Sequence, residues 1–575
     1  MAGAAKLQPM DATTLKAVVG ELRPVLLPSR CEQTQQGGDR AVQLAFRTLD
    51  GFHWVELAWA AEAPRLLAIP PPPRQGEGST LARQLRSGLR GLALTAIEQS
   101  GWERVVELAF ARRPSDPPER WLVLELMGRH SNLFLLDVER RVIALGRQVR
   151  GDQSRLRPIG TGDPYRPPPP MGGEPPRQTE SEASWRRRIT LQPLPLGEAL
   201  RRAYQGIGPA LSRQLCEGLD EAEGSLLERS VQELEPRQWT ELRHRWDAWL
   251  ECVEAGRFRL RFGGATDYRC WPEAGDPVTA TGDPLAINHG LARYYTDRLV
   301  ERDLRRRRQL LDQRLGAALE RVERDLERQR RALAAVADAD DLSRRADGLL
   351  SRPDPDRATI EEAQSLYRRA RKLRRSVAAI EARLEEDRRR REWLEASVGF
   401  LEAAGDAEEM AALEQEVAEA LGSGGGGTDR SRRRGAVRAG EASPQPLEVR
   451  SPGGLRLQVG RNHRQNEWIS LRRARSGDLW FHAQECPGSH VVLKASEASP
   501  GEADLAAAAD LAAHFSRGRG NARVPVVMVP TDDLQRIAGA AAGTVRHRGG
   551  EVVWGQPERA LPLLSPPNLA GKACP

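Results

Sequence analysis

The sequence predicts a multidomain α+β protein: an N-terminal α/β domain, a helix-hairpin-helix module, a long antiparallel coiled-coil hairpin and a C-terminal α/β domain. Three observations predict it. At 575 residues the chain exceeds what one hydrophobic core can organise, so several domains are expected. Apolar residues recur mostly three, four or seven apart through 304–336 and again through 366–401, the spacing of helices that wrap around each other. Finally, Asp478 to Lys494, DLWFHAQECPGSHVVLK, gathers Trp480, Phe481, His482 and His490 around Pro487-Gly488 in a chain only 5% aromatic, and reads as strand, turn, strand.

Composition narrows the partner. Lys and Arg number 87 against 80 Asp and Glu, a formal net charge of +7, and this basic excess favours a polyanion. The six cysteines are scattered without a C-x-x-C pair, which fits a reduced compartment and excludes the usual structural zinc spacing. The first residues lack a sustained apolar stretch and no run approaches the ~18 apolar residues of a membrane span. A cytoplasmic chain with no membrane partner, metal or cofactor is the expectation.

Asp11 is placed to cap a helix whose Leu15, Val18, Val19 and Leu22 share one face, because its carboxylate accepts free N–H groups of the first turn. Segments 42–46, 52–57 and 65–69 alternate as strands of a small sheet. A leucine stripe marks a helix over 81–92, and 93–98, 104–109 and 121–125 read as further strands. Gly128 then makes a tight bend that presents Arg129, His130, Ser131 and Asn132 together. Those side chains either satisfy their own turn or form a hydrogen-bonding cluster. Residues 155–187 are proline-rich and read as an exposed linker. Gly206-Ile207-Gly208-Pro209, between helical stretches of 196–251, resembles a helix-hairpin-helix turn whose backbone N–H groups meet a phosphate or simply connect two helices. Short strands follow around Gly263-Gly264.

The coil's two arms are joined at Pro353-Asp354-Pro355, and each would reach roughly 50 to 70 Å. Arg305 to Arg308 and Arg388 to Arg391 flank it, as solvated positions or as contacts along RNA. An arm of this kind either dimerises or spans distance on a large partner. Gly422 to Gly427 and Arg430 to Arg434 read as a loose tether to the last domain. That domain carries a helix over 503–515 and a strand over 524–529. Ser489 and His490 are expected at the mouth of the 478–494 hairpin beside His482 and Trp480, where imidazole, hydroxyl and indole suit phosphate, sugar or base stacking. The alternative is a packed hairpin with internally satisfied histidines.

These motifs resemble the NFACT family. The D-[IL]-W-F-H…P-G-S-H-V-V signature of its C-terminal domain is similar to Asp478 to Val492. Its basic stretch is similar to Ser516-Arg517-Gly518-Arg519, and its glycine turn is loosely similar to Ile537, Gly539, Gly543 and Val545. Asp11, the pair Glu103-Arg104 and the segment Glu125 to Asn132 stand in the order of the family's N-terminal domain, followed by Arg157, Gly162, Tyr165 and Pro168-Pro169. The family's acidic-Arg pair is usually Asp-Arg and is associated with tRNA recognition; here the acid is one methylene longer. The resemblance implies an NFACT-N domain over 1–165, a proline-rich linker over 166–190, a helix-hairpin-helix module with short strands over 191–285, the coiled-coil hairpin over 286–421, a Gly/Arg-rich linker over 422–446 and an NFACT-R RNA-binding domain over 447–575.

It also implies a ribosome quality-control factor that works as a monomer on the large ribosomal subunit, contacting rRNA and peptidyl-tRNA there. Such a factor recruits an aminoacyl-tRNA, alanyl-tRNA in bacterial members, for template-free C-terminal tailing that marks the nascent chain for degradation. Peptide-bond formation would then belong to the ribosome, and no catalytic residue is expected. The residues implied to bind tRNA or RNA are Asp11, Glu103, Arg104, Arg129, His130, Asn132, Trp480, His482, Ser489, His490, Arg517 and Arg519. Other classes weighed against this are an RNA-binding protein without tailing, a fibronectin-binding surface adhesin, for which no export signal is seen, and a formamidopyrimidine-type DNA glycosylase. The last needs an N-terminal Pro-Glu pair where this chain reads Met-Ala-Gly-Ala-Ala.

Overall fold

The computed structural model describes residues 7–74, 78–152, 157–219, 225–263, 267–272, 282–351, 353, 356–422, 444–537 and 541–564. The stretch 423–443, Asp354-Pro355, Arg155, Gly264 and Gly539 lie outside the described residues. Two compact units are present, Met1–Val300 and Glu301–Pro575. Among the described residues no helix is long and apolar enough to cross a membrane.

In the first unit, helix α1 (Ala12–Leu26) is capped by Asp11 as expected, with Oδ1 accepting from the Thr14 N–H and hydroxyl, each at 2.8 Å. Strands β1 (Ser29–Gly38), β2 (Ala41–Arg47), β3 (Phe52–Ala58), β4 (Arg65–Ile69), β5 (Ala93–Gln99), β6 (Val105–Ala111), β7 (Arg120–Glu125), β8 (Asn132–Leu136) and β9 (Val142–Leu145) form one sheet. Its order is β4-β3-β2-β1-β5-β6-β7-β8-β9, and every neighbouring pair is antiparallel. The domain is therefore α+β rather than the expected α/β, since among the described residues its sheet contains no parallel crossover.

Strand β1 is the element that hydrophobic alternation misses, because Glu32, Gln33, Gln35 and Gln36 interrupt it. A polar ladder holds it instead. Gln35 Nε2 donates to Gln43 Oε1 at 2.9 Å, Gln43 Nε2 donates to Glu56 Oε2 at 3.1 Å, and Arg65 pairs with Glu56 at 2.6 Å. Each of these polar groups is satisfied across the sheet, so the ladder fixes register without apolar contacts. Helix α2 (Thr80–Leu89) stops short of the expected 92, where Gly91 takes a positive φ of 80°.

The proline-rich stretch is not a free linker, which corrects the sequence expectation. Arg157 makes a two-pronged bond to Glu125 at 2.8 and 2.6 Å, and the Tyr165 hydroxyl donates to Glu125 Oε1 at 2.9 Å. Further on, Glu174 N–H donates to Ala203 O at 2.9 Å, and helix α3 (Glu182–Ile189) buries Trp185 completely. Trp185 joins Trp239, Trp246, Trp249 and Tyr204 in an aromatic core built with α4 (Leu196–Ala203), α5 (Pro209–Cys216) and α6 (Pro236–Ala255). The same stretch that lacks periodicity is thus anchored by one buried carboxylate and one indole.

The turn between α4 and α5 rests on the sheet's β5–β6 connection. Gly206 has a φ of +76°, and a Cβ there would lie 2.7 Å from the Trp102 ring, so glycine is required for both conformation and closeness. Strands β10 (Arg261–Gly263) and β11 (Asp267–Arg269) pair beside this module. Helix α7 (Ala286–Ala334) begins in the first unit, where Ile287, Leu291 and Tyr295 are core residues.

In the second unit, the rest of α7 is followed by α8 (Asp338–Leu350), α9 (Arg357–Ala403) and α10 (Ala407–Gly422). Arg308 donates to Ala404 O, Gln329 Nε2 to Asp387 Oδ2 at 2.7 Å, and Arg374 pairs with Asp340 at 2.6 Å. Partner numbers fall on one side as they rise on the other, so α7 and α8 run antiparallel to α9. Leu311, Leu315, Val322 and Leu326 pack in one cluster with Leu384, Leu394 and Leu401. A short 3₁₀ turn at Ala335–Ala337 divides the first arm. Arg307 pairs with Glu414 at 2.8 Å and is not a solvated flank.

The last domain has strands β12 (Leu447–Arg450), β13 (Arg456–Val459), β14 (Leu479–Ala483), β15 (Val491–Leu493), β16 (Val524–Pro530), a separate pair β17 (Leu534–Arg536) and β18 (Val545–His547), and β19 (Glu551–Gly555). The main sheet runs β12-β13-β15-β14-β16-β19, again wholly antiparallel, so this domain too is α+β. Helices α11 (His463–Glu467) and α12 (Glu502–His514) belong to it.

Residues 423–443 of the expected tether lie outside the described residues, and the domain packs on the base of the helical pair. His463 stacks on Trp393 with ring centroids 4.4 Å apart, and its Nε2 lies 2.9 Å from the Ser397 hydroxyl. Around it, Arg517 pairs with Glu395 at 3.3 Å, Arg519 with Glu402 at 2.7 Å, Arg461 with Glu409 at 3.1 Å and Arg464 with Glu419 at 2.7 Å. Glu416 accepts the His463 and Arg464 N–H groups at 3.2 and 3.0 Å, and burial pushes its pKa up to about 7. Burial holds His463 down at about 3, so its ring is neutral in this contact.

Candidate nucleic-acid interface

The start of α1, the β5–β6 turn, the proline-rich segment and the α4–α5 turn meet at one locus of the first unit. Gln99 Nε2 donates to Glu103 O at 2.8 Å and to Ala12 O at 3.3 Å, which holds the β5–β6 turn against α1. Glu103 Oε1 accepts the Met171 N–H at 2.7 Å, while Gln205 Nε2 donates to Gly173 O at 3.1 Å. A Cβ on Gly208 would touch that of Asp11 at 4.0 Å.

The electrostatics of the locus are unbalanced. Arg104 is half-buried, and among the described residues its guanidinium has no hydrogen bond or ion pair. Lys16 sits 5.0 Å over the Trp102 ring, and burial followed by the nearby Arg23 lowers its pKa. Burial raises the Asp11 pKa, with the Thr14 hydrogen bonds and the charge of Arg104 opposing it. Glu103 Oε2 and Gln99 Oε1 are buried with no hydrogen-bond partner among the described residues. Two cations in no ion pair among the described residues and two unsatisfied acceptors suit a ligand carrying both phosphate oxygens and N–H or O–H donors.

Asp11, Glu103 and Arg104 are thus brought together. The Leu126 N–H donates to Arg104 O at 2.9 Å, so the bend bearing Arg129 and His130 begins beside Arg104; both are exposed, with Arg129 Nε 3.0 Å from His130 Nε2. Asn132 does not belong to this surface. It is 2% exposed, its Nδ2 donates to Arg147 O at 2.7 Å, and its Oδ1 accepts the Arg147 N–H at 2.8 Å, so it ties β8 to the chain after β9. Lys16 and Trp102 carry no motif signal in the sequence, whereas the Gly206 turn is the candidate phosphate contact named there. Only its place immediately before the Glu103-Arg104 pair points to Trp102.

The 478–494 motif folds as the expected antiparallel strands, but its polar residues point inward. Trp480 is 2% exposed, Ser489 1% and His490 4%, so these three are not contact residues at a hairpin mouth. The cause is local. Gly488 packs so closely on Ser516 that a Cβ would lie 2.9 Å from that residue's own, and Ser489 N–H donates to Phe515 O at 2.9 Å. His490 N–H then reaches Asn466 Oδ1 at 3.0 Å, and its Nδ1 lies 2.8 Å from the Ser470 hydroxyl. His482 is half-buried, stacks on Trp480 with centroids 5.5 Å apart, and is held by burial at about 4. Arg517 and Arg519 remain at the surface but are paired with the glutamates of α9.

Unpaired cations beside an indole in one unit, and an arginine-rich α+β domain in the other, define a protein built to bind nucleic acid. The family model for the NFACT N-terminal and middle domains matches residues 11–352, and that for the NFACT protein RNA binding domain matches 449–549. The chain belongs to the NFACT family. Curated relatives include Rqc2 homolog RqcH of Streptococcus pneumoniae strain R6, 26% identical over 94% of this chain and 96% of that protein. The protein of the same name from Bacillus subtilis is 24% identical over 82% and 85%. A similar solved structure is the C-terminal part of the fibronectin/fibrinogen-binding protein of Streptococcus suis, 25% identical with a TM-score of 0.37, covering 45% of this chain and 98% of that one.

Proposed function

We propose that this chain is a cytoplasmic ribosome quality-control factor that binds large ribosomal subunits still carrying peptidyl-tRNA and recruits an aminoacyl-tRNA, alanyl-tRNA in the first instance, for template-free C-terminal tailing. The observation that carries the reading is the locus around Arg104 in a chain that also holds an RNA-binding NFACT domain. The antiparallel helical arm serves as a spacer along the subunit, and the factor acts there as a monomer. The protein supplies binding and orientation, while the ribosome makes the peptide bond. In this division of labour the N-terminal locus selects tRNA: Arg104 and Lys16 meet phosphate, and the unsatisfied Glu103 and Gln99 oxygens accept from base or sugar donors.

Arg104→Ala tests it. The half-buried guanidinium makes no internal bond that folding would miss, so its loss should weaken tRNA binding about 10- to 100-fold, the range of a charge-assisted hydrogen bond. Large-subunit binding should change little. Filter binding of tRNA and co-sedimentation with purified large subunits measure the two, and equal loss of both would refute the assignment.

A further inference from the structure

The main sheet of the C-terminal domain has two unlike faces. On one, Phe481, Ala483, Val491, Leu493, Val524 and Val526 pack in the apolar cluster that contains the alanines of α12. The register puts Trp480 beside Val529, His482 beside Val527 beside Val552, and Pro525 beside Trp554 on the other. Half of that second face is covered: Trp480, Val492, Val527 and Val529 cluster with Ile469, and the β17–β18 pair lies near, with the His547 and Trp480 rings 5.9 Å apart. Among the described residues the other half is open. Val552 is 51% and Trp554 61% exposed on β19, the end strand of the sheet, with His482 and Pro525 half-buried inside them. Alternate residues of a strand share a face, so Val552 and Trp554 are two steps of one apolar row, ~6.6 Å apart.

A cation stands at the rim of this open half. Arg523 precedes β16 in the same alternation as Pro525 and Val527, which sets it one step beyond Trp554. Arg523 is exposed and in no ion pair among the described residues. Glu551 falls on the opposite, α12-facing side by the same alternation, and Glu485 follows Gln484 at the rim. This contrasts with Arg517 and Arg519, whose charge is already answered by Glu395 and Glu402. An exposed indole on a sheet, beside a cation in no ion pair, is the chemistry that stacks a splayed base and holds its phosphate. An apolar protein partner would not call for Arg523.

We infer that this open half-face, centred on Trp554, stacks an unpaired base of single-stranded RNA while Arg523 holds an adjacent phosphate. The inference rests on the RNA-binding family of the domain and names the surface that serves it. It also displaces the RNA contact from the buried Trp480 to an indole outside the 478–494 motif.

The test uses the full chain with a labelled oligouridylate, and the same strand annealed to oligoadenylate, read by fluorescence anisotropy. Trp554→Ala should weaken single-strand binding about 5- to 150-fold, the worth of one stacked base, while Trp554→Tyr keeps most of it and the duplex is unaffected. Arg523→Ala should lower the salt dependence by about 0.7 in log–log slope, one phosphate's share on a single strand. Because Trp554 is exposed, the alanine variant should fold. Unchanged single-strand binding in Trp554→Ala, or equal loss on the duplex, overturns the inference. So does parent self-association that Trp554→Ala abolishes with RNA binding intact, which would make a second copy the occupant. If the parent binds neither oligonucleotide nor large subunits, the RNA-binding reading itself falls; if it still co-sediments with large subunits, only this surface is wrong.

Discussion

Lys494→Ala should cost the C-terminal domain about 3–5 kcal/mol, the expected loss when one partner of a buried ion pair is removed. Lys494 Nζ lies 2.9 Å from Asp478 Oδ2 and donates to Arg473 O at 2.8 Å, with both side chains almost wholly enclosed. Asp478 Oδ1 also accepts from the Ser496 hydroxyl at 2.6 Å, and Oδ2 from the Arg475 N–H at 2.9 Å. Alanine would leave the carboxylate buried without its counter-charge. Replacing both residues, Lys494→Met with Asp478→Asn, should cost much less, because no charge is then stranded.

The pH dependence separates this pair from simple packing. Burial alone would raise the Asp478 pKa, but bonds from Ser496, Arg475 and Lys494 outweigh it and hold the group below the usual carboxylate value. A depressed folded-state pKa contributes stability that is full above the unfolded value, about 4, and is lost as pH falls through the folded value. The parent's contribution from this carboxylate should therefore be full above about pH 4 and shrink below it, so its advantage over Lys494→Ala shrinks on acidification. Hydrogen exchange of the β14 and β15 amides measures this, and equal protection in parent and Lys494→Ala would contradict it.

Trp249→Ala should be comparably severe in the first unit, at about 3–5 kcal/mol. Trp249 is fully buried, with ring centroids 5.1 Å from Trp246 and 5.3 Å from Trp102, and its Nε1–H donates to Thr13 Oγ1 at 3.1 Å. It therefore joins the helical module both to the first turn of α1 and to the residue before Glu103-Arg104. Loss of the indole should weaken tRNA binding as well as stability, whereas Trp249→Phe keeps most of the packing and loses the hydrogen bond, about 1–2 kcal/mol. Urea unfolding followed by circular dichroism, with tRNA binding by the same variants, measures both. A Trp249→Ala protein that binds tRNA like the parent would show that the module does not support the locus.

Much of this fold is legible in the sequence where one physical signal dominates. Asp11 caps its helix, the apolar seam of 366–401 faces a partner helix, and the strands of 478–494 pair as their alternation says. The errors fall where polar groups replace that signal. Strand β1 escapes notice because Gln35 and Gln43 hold it instead of valines. The proline-rich stretch looks free because its anchors, Glu125 and the Trp185 pocket, lie far off in sequence.

The candidate site divides on the same line. Glu103 and Arg104 stand beside each other in the sequence and beside Asp11 and the proline-rich segment in the fold. Trp480, Ser489, His490 and Asn132 are just as concentrated in motifs, yet they are buried by neighbours no local pattern announces: Ser470, Asn466, Ser516 and the Arg147 backbone. A dense polar motif marks a position that must be built with care, and burial decides whether that care serves contact or architecture. Trp554, which lies in no such motif, is the exposed counterpart.

The central claim is that this NFACT chain acts on large ribosomal subunits and selects tRNA through the Arg104 locus. Native affinity purification of the parent and Arg104→Ala chains, with sequencing of the co-purified RNA, tests it most directly. The account predicts large-subunit rRNA with both chains and enrichment of one tRNA, alanine's first, with the parent alone. Recovery of neither large-subunit rRNA nor an enriched tRNA with the parent would contradict it.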